Sequence, residues 1–172
     1  MIFRRSQPAI DITFAEIVHE YQSMVYSIGW HLIGNRAVAE ELAQDVFLKL
    51  HQCWATIESR AHAANWLRRA MTQRAIDHSR RARLRPRIGL DQAPEPSRPA
   101  HDSDPLLSSR LESLIALLPE RSRAIVVLRF QEEMDPAEIA GTLGLSVGAV
   151  KSNLHRSLTW MRARMERMGV TK

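Results

Sequence analysis

Residues 134–157, MDPAEIAGTLGLSVGAVKSNLHRS, constrain the fold of this chain more than any other stretch. Asp135-Pro136 is a helix start: Asp caps, and Pro at the first helical position lacks an N–H that would be orphaned anyway. Ile139, Ala140 and Leu143 then give a short helix one apolar face. Gly144 permits a tight turn, and Ser146 can cap the next helix. Val147, Val150, Leu154 and Leu158 recur at helical spacing and predict that helix's buried side. Lys151, Ser152, His155 and Arg156 are left outward. A short helix, a glycine turn and a second helix with a polar face form a helix-turn-helix, the geometry that lays a helix in the DNA major groove. A helical hairpin with a merely solvated polar face has the same pattern.

The charge balance favours the first reading. The chain carries a formal net charge of +5, with a pI near 10.1, which suits an anionic partner such as nucleic acid or a membrane surface. Membrane insertion is not expected, because no apolar run approaches the ~20 residues a spanning helix needs. The N-terminal MIFRRSQPAIDITF lacks the apolar core of a signal peptide. Cys53 is the single cysteine, so no internal disulfide can form, and a cytoplasmic setting is expected.

The pattern is helical throughout. Thr13 and Glu16 form a capping box that opens a helix with Phe14, Ile17, Val18, Tyr21, Val25 and Ile28 on its apolar side. Gly34-Asn35 breaks it. Asn35 caps a second helix with Val38, Leu42, Val46 and Leu50 on one side and Glu40, Glu41, Gln44, Asp45 and Lys49 elsewhere. Residues 55–64 read as a loop, and a third long helix is expected from about Asn65 to Leu84. Between Trp66 and Leu90 stand eight arginines (68, 69, 74, 80, 81, 83, 85 and 87) against the single acid Asp77, a local charge of +7. This exceeds the charge of the whole chain, so the remainder is slightly acidic.

Residues 85–105 hold five of the eight prolines and too few large apolar side chains to build a core, the composition of an extended linker. The expected architecture is therefore all-α. Two small helical domains, 1–85 and 106–172, are joined by a Pro-rich linker at 86–105, and the C-terminal domain holds the helix-turn-helix. In that second domain Leu106, Leu107, Leu111, Leu114, Ile115 and Leu118 predict one helix. Pro119 stops it and starts another, containing Ile125, Val126, Leu128 and Phe130.

Two segments together resemble one family. AEELAQDVFLKL (39–50) followed by NWLRRAMTQRAIDHSRR (65–81) is similar to domain 2 of a bacterial RNA polymerase sigma factor. LLPERSRAIVVLRFQEEMDPAEIAGTLGLSVGAVKSNLHRSL (117–158) is similar to domain 4. Their order and spacing resemble the extracytoplasmic-function (ECF) group, which keeps only these two domains. Ala149 stands where the family usually has Thr, and Met134-Asp135-Pro136 replaces a Gly-hydroxyl helix start.

The resemblance implies a transcription initiation factor that binds core RNA polymerase, directs it to −10 and −35 promoter elements and helps to open the duplex. It implies that Glu40, Glu41, Gln44 and Asp45 grip the β′ coiled coil, where acidic and amide groups can pair with basic ones, and that domain 4 meets the β flap. Arg68, Arg69, Arg74, Arg80 and Arg81 would contact the −10 strand and its phosphates, with the segment 55–64 receiving an extruded base. Some of these arginines could instead pair with Asp77. Trp66 and Leu67 would anchor their helix in the core. Lys151, Ser152, His155 and Arg156 would read the −35 element, since Arg and Lys pair with guanine and Ser with several groups. An anti-sigma factor is the implied regulator.

No catalytic set stands out. The seven histidines are scattered, no Cys/His spacing suits a metal, no glycine-rich phosphate loop occurs, and neither cofactor nor enzymatic activity is expected. Two other readings share the pattern: a sigma-like decoy for an anti-sigma factor, which would tend to lose basic DNA-contact residues, and a stand-alone helix-turn-helix regulator, which would bind duplex without polymerase.

Overall fold

The computed structural model describes residues 12–84 and 105–169, with side chains from 109 onward in the second stretch. The expected linker therefore lies outside the described residues, apart from Pro105, as do Arg85 and Arg87. Every element among the described residues is helical. The first unit contains α1 (Phe14–Ile33), α2 (Arg36–Gln52) and α3 (Arg60–Leu84), with a 3-10 turn at Trp54–Thr56. The second contains α4 (Pro105–Leu117), α5 (Glu120–Phe130), α6 (Pro136–Leu143) and α7 (Val147–Arg167).

Local chemistry explains most of the boundaries. The Thr13 hydroxyl accepts from Glu16 N–H while the Glu16 carboxylate accepts from Thr13 N–H at 2.7 Å, so two orphan donors are satisfied reciprocally. Asn35 caps α2 through Val38 N–H at 3.0 Å. Gly34, with φ 71°, ends α1 in the left-handed conformation that glycine adopts without penalty.

One boundary differs from expectation. α3 begins at Arg60, not Asn65, because the Ser59 hydroxyl accepts from His62 N–H at 3.0 Å and starts the helix early. Ala63 and Ala64 are buried in that first turn against the other helices. The expected ten-residue loop thus shrinks to the 3-10 turn and a few residues around the buried Ile57.

The core of the first unit joins Ile17, Val25, Ile28, Leu42, Val46, Leu50, Leu67 and Met71, all buried. Trp66 packs against it partly buried, so the expected anchoring pair Trp66–Leu67 sits at and beside the core. Gly29 lies where α1 meets α3 closely: a Cβ there would fall 2.0 Å from Met71 Cε.

In the second unit Ile125, Leu128, Met134, Ile139 and Val150 form one cluster, and Leu114, Leu118, Val126 and Met161 form another. The buried side of α7 is rotated from the expected stripe. Val150, Ser157 and Met161 are buried, Leu154 and Leu158 are half-buried, and Val147 is exposed. Val147 is the first helical residue, before α7 reaches α5 and α6. Phe130 is likewise exposed, at the last position of α5 where the chain leaves the core.

The two units are packed together. α5 and α6 lie against α1 and α3, and Ala124 and Val127 of α5 belong to the same apolar core as α1–α3. Polar contacts frame this seam. Arg68 pairs with Glu132 at 3.0 Å and Arg83 with Glu120 at 3.0 Å. Gln131 donates to the Ser27 hydroxyl, and Arg123 donates to the Leu32 carbonyl at 2.8 Å.

Candidate nucleic-acid interface

The helix-turn-helix is built by three local devices. Asp135 accepts from both Ala137 N–H at 2.7 Å and Glu138 N–H at 2.9 Å, and Glu138 returns to Asp135 N–H at 2.7 Å. This second capping box doubles the simple Asp-Pro start. Gly144 takes φ 65° and closes α6 onto Ala140. Ser146 accepts from Ala149 N–H at 3.1 Å and opens α7. Buried Ile139 and Val150 then lock the two helices together, so the direction of α7 is set by residues that do not lie on its outer face.

On that outer face Lys151, Ser152, His155 and Arg156 are all exposed, and none of their side chains makes a hydrogen bond or ion pair with the described residues. Their donors and acceptors are free for base edges and phosphates. Asn153 is different: it is half-buried and its Oδ1 accepts from the Ser157 hydroxyl at 3.3 Å.

The arginines of α3 fall into two sets. Arg69, Arg80 and Arg81 are exposed and make no ion pair with the described residues. Arg68 is held by Glu132, and Arg74 by Asp45 of α2 at 3.3 Å. Asp77 makes none of the local pairs that its spacing allows. Arg68 and Glu132 have largely buried side chains, 24% and 7% exposed, so this pair is screened far less than a surface one. Nothing in the sequence marked Glu132, 64 residues distant.

The acidic set on α2 is likewise divided. Glu41 and Gln44 are exposed. Glu40 pairs with Arg36 one turn earlier at 2.9 Å, and Asp45 faces Arg74. Beside them a groove of about 840 Å³ runs between α1 and α2, walled by Phe14, Val18, Tyr26, Phe47 and Leu48, with Glu40 and Gln44 also in its lining. Phe47 is half-buried in this wall, whereas Leu50, on the expected apolar side of α2, is fully buried. Phe14 makes edge contacts with His51 and Trp54 at 5.0 and 5.5 Å and fixes one end of the groove.

Burial lowers the pKa of Arg123, whose guanidinium lies among backbone carbonyls at the seam. Desolvation, followed by a hydrogen bond with Glu20, raises that of Tyr21. Neither change makes an acid or base for chemistry near neutral pH. No group of three or more His, Cys, Asp or Glu side chains among the described residues is placed to hold a metal, and none of their helices is long and apolar enough to cross a membrane.

Residues 17–85 match the family model of sigma-70 region 2, and residues 108–161 match that of sigma-70, region 4. The chain is 31% identical over 153 residues to the RNA polymerase sigma-E factor of Streptomyces coelicolor, covering 88% of this chain and 85% of that one. The chain belongs to the sigma-70 family, in its ECF group. This sigma factor is also 30% identical over 157 residues to the ECF RNA polymerase sigma factor SigL of Mycobacterium tuberculosis, with 89% of each covered. Its fold is similar to that of the sigma factor RpoE solved in complex with the anti-sigma factor NepR from Bartonella quintana. The TM-score is 0.68 at 15% identity, over 92% of this chain and 98% of that one. As a member of this family the sigma factor is a transcription initiation factor.

Proposed function

We propose that this sigma factor binds core RNA polymerase through α2 and places α3 on the −10 element and α7 on the −35 element of a promoter. The observation that carries the reading is the free polar face of α7 together with the free arginines of α3. Lys151, Ser152, His155 and Arg156 offer a compact set of base-reading groups on a helix whose direction is fixed from beneath. Arg69, Arg80 and Arg81 offer fixed positive charge for phosphates, and Arg68 and Arg74 would join them on release from their carboxylates.

Glu40, Glu41, Gln44 and Asp45 are the polar half of the docking surface, and the apolar groove beside them suits the buried part of a partner helix. The working domains are 1–85 for polymerase binding and −10 recognition and 106–172 for −35 recognition and contact with the β flap, with 86–105 as tether. The protein acts in the cytoplasm, where polymerase and promoters are, and as a binding factor rather than an enzyme. An anti-sigma factor, like the partner of the RpoE relative, is its proposed regulator.

The deciding experiment is reconstitution. Purified protein added to core polymerase should yield transcripts that start at one class of promoter. Absence of binding to core at micromolar concentration would overturn the reading. Tight duplex binding without polymerase would favour a stand-alone regulator instead.

A further inference from the structure

We propose that Trp160, Arg164 and Arg167 form a second contact row of α7, which grips the phosphates of one DNA strand beside the −35 element without reading bases. The proposal rests on the assignment of α7 as the DNA-reading helix.

The first argument is continuity. Arg156, Trp160, Arg164 and Arg167 stand at i, i+4, i+8 and i+11 and so form one row along the helix. All four are exposed. The row begins at Arg156, inside the proposed reading set, and runs down one flank of α7 to its last turn. Glu166, the one acid of α7, stands off the row. Arg164 and Arg167 lie beyond residue 161, where the region 4 match ends.

The second argument is length. α7 has 21 residues and is about 31 Å long, whereas the major groove is about 12 Å wide. With its N-terminal half among base edges, its C-terminal half is carried out past the sugar-phosphate wall of the groove. Arg156 to Arg167 covers about 16 Å of that course.

The third argument is chemistry. The side chains of Trp160 and Arg164 make no hydrogen bond or ion pair with the described residues. Arg167 Nε donates to the Ala163 carbonyl one turn back at 3.3 Å, which leaves its terminal nitrogens without a partner among the described residues. The row therefore offers donors only, guanidinium forks and an indole N–H, the groups that meet phosphate oxygens. The negative end of the helix dipole by itself accounts for arginines in the last turn. It does not account for a tryptophan left 38% exposed between two of them. A ring there suits the sugar face of a strand whose phosphates its neighbours hold.

The test titrates promoter duplex with holoenzyme, assembled from core polymerase and the full-length protein, at several salt concentrations. Arg164→Gln with Arg167→Gln should weaken binding about tenfold and reduce the salt slope by about two, equally on matched and mismatched −35 sequences. Arg164→Lys with Arg167→Lys should keep the slope. Trp160→Ala should weaken binding about threefold, the loss of one donor, with the slope unchanged. Arg110→Gln with Arg121→Gln removes the same two charges from exposed positions outside α7 and should keep wild-type affinity. Single methylphosphonates scanned along the DNA flanking the −35 element should weaken wild-type binding at positions that no longer matter to the glutamine pair. Three results would overturn the row: unchanged DNA binding by the glutamine pair, which would assign the row to an acidic protein partner; an equal loss in the Arg110 and Arg121 control; or altered base discrimination in place of uniform weakening. If the glutamine pair binds normally while Arg156→Ala still changes −35 discrimination, only the row has failed. If Arg156→Ala also leaves discrimination intact, the reading of α7 has failed with it.

Discussion

Arg123 on α5 donates to the carbonyl oxygen of Leu32 on α1 at 2.8 Å, across 91 residues of chain. The same guanidinium donates to the Leu118 carbonyl at 3.2 Å and to that of Ala116. One side chain thus satisfies carbonyls at the C-terminal ends of two helices, where the backbone has no partner of its own and the helix dipole favours a cation. Arg123→Ala should lower stability by about 2–4 kcal/mol, because several half-buried carbonyls lose their donor together. Arg123→Lys should recover part of this, since one ammonium cannot copy the planar fork. Denaturant titration of the three proteins measures both effects.

Gly29 predicts a second outcome, independent of the seam. Its added Cβ would meet Met71 Cε at 2.0 Å, and Met71 is fully buried. Gly29→Ala should therefore destabilise the protein by no more than about 1 kcal/mol, because overpacking against the flexible Met71 tip is partly offset by the helix propensity that alanine recovers. Adding Met71→Leu, which withdraws the far end of the clashing side chain, should make the double variant less unstable than the sum of the singles. Additive losses would show that α1 and α3 shift apart freely.

The pKa of Glu16 lies below its ordinary value of 4.5, through the Thr13 backbone N–H and then the Thr13 hydroxyl. A depressed carboxylate contributes stability that is fully present above the unfolded pKa and is lost as pH falls through the lower folded value. The stability gap between wild type and Glu16→Gln should accordingly hold constant from pH 7 to about 5 and close below 4.5. Thermal melts across that range provide the measurement, and a gap unchanged at low pH would remove the charge from the account of this cap.

Promoter contacts should separate into two behaviours. Arg156→Ala, on the proposed reading face, should lose about 1–3 kcal/mol with the cognate −35 sequence and relax discrimination at one base. Arg80→Ala should weaken holoenzyme binding to all promoters evenly and reduce the salt slope by about one. Binding of holoenzyme to a panel of −35 variants at several salt concentrations distinguishes them.

Features set within a few residues were readable from the sequence. Thr13, Asn35, Asp135 and Ser146 all cap as their neighbours imply, and Gly144 turns left-handed where the chain reverses. Ser59 was equally local, yet the weakly periodic ESRAHAA after it concealed a helix start. The tilt of α7 was less legible: Val147 and Ser157 exchange the burial that hydrophobicity assigns them, because packing on α5 decides which side faces inward. Contacts between the units were not legible at all. The pairs of Arg68 with Glu132 and Arg74 with Asp45 join elements whose separation in sequence carries no periodic signal, and they sort equivalent-looking arginines into held and free.

The helix-turn-helix keeps the residues that build it apart from those it presents. Asp135, Gly144, Ser146, Ile139 and Val150 define the shape, while Lys151, Ser152, His155 and Arg156 stand clear of every described partner. Exchanging exposed side chains of this kind typically changes stability by less than about 0.5 kcal/mol. The scaffold is therefore a socket with interchangeable keys: if α7 reads promoters as proposed, a duplicated copy could change its sequence preference at these four positions without passing through an unfolded intermediate.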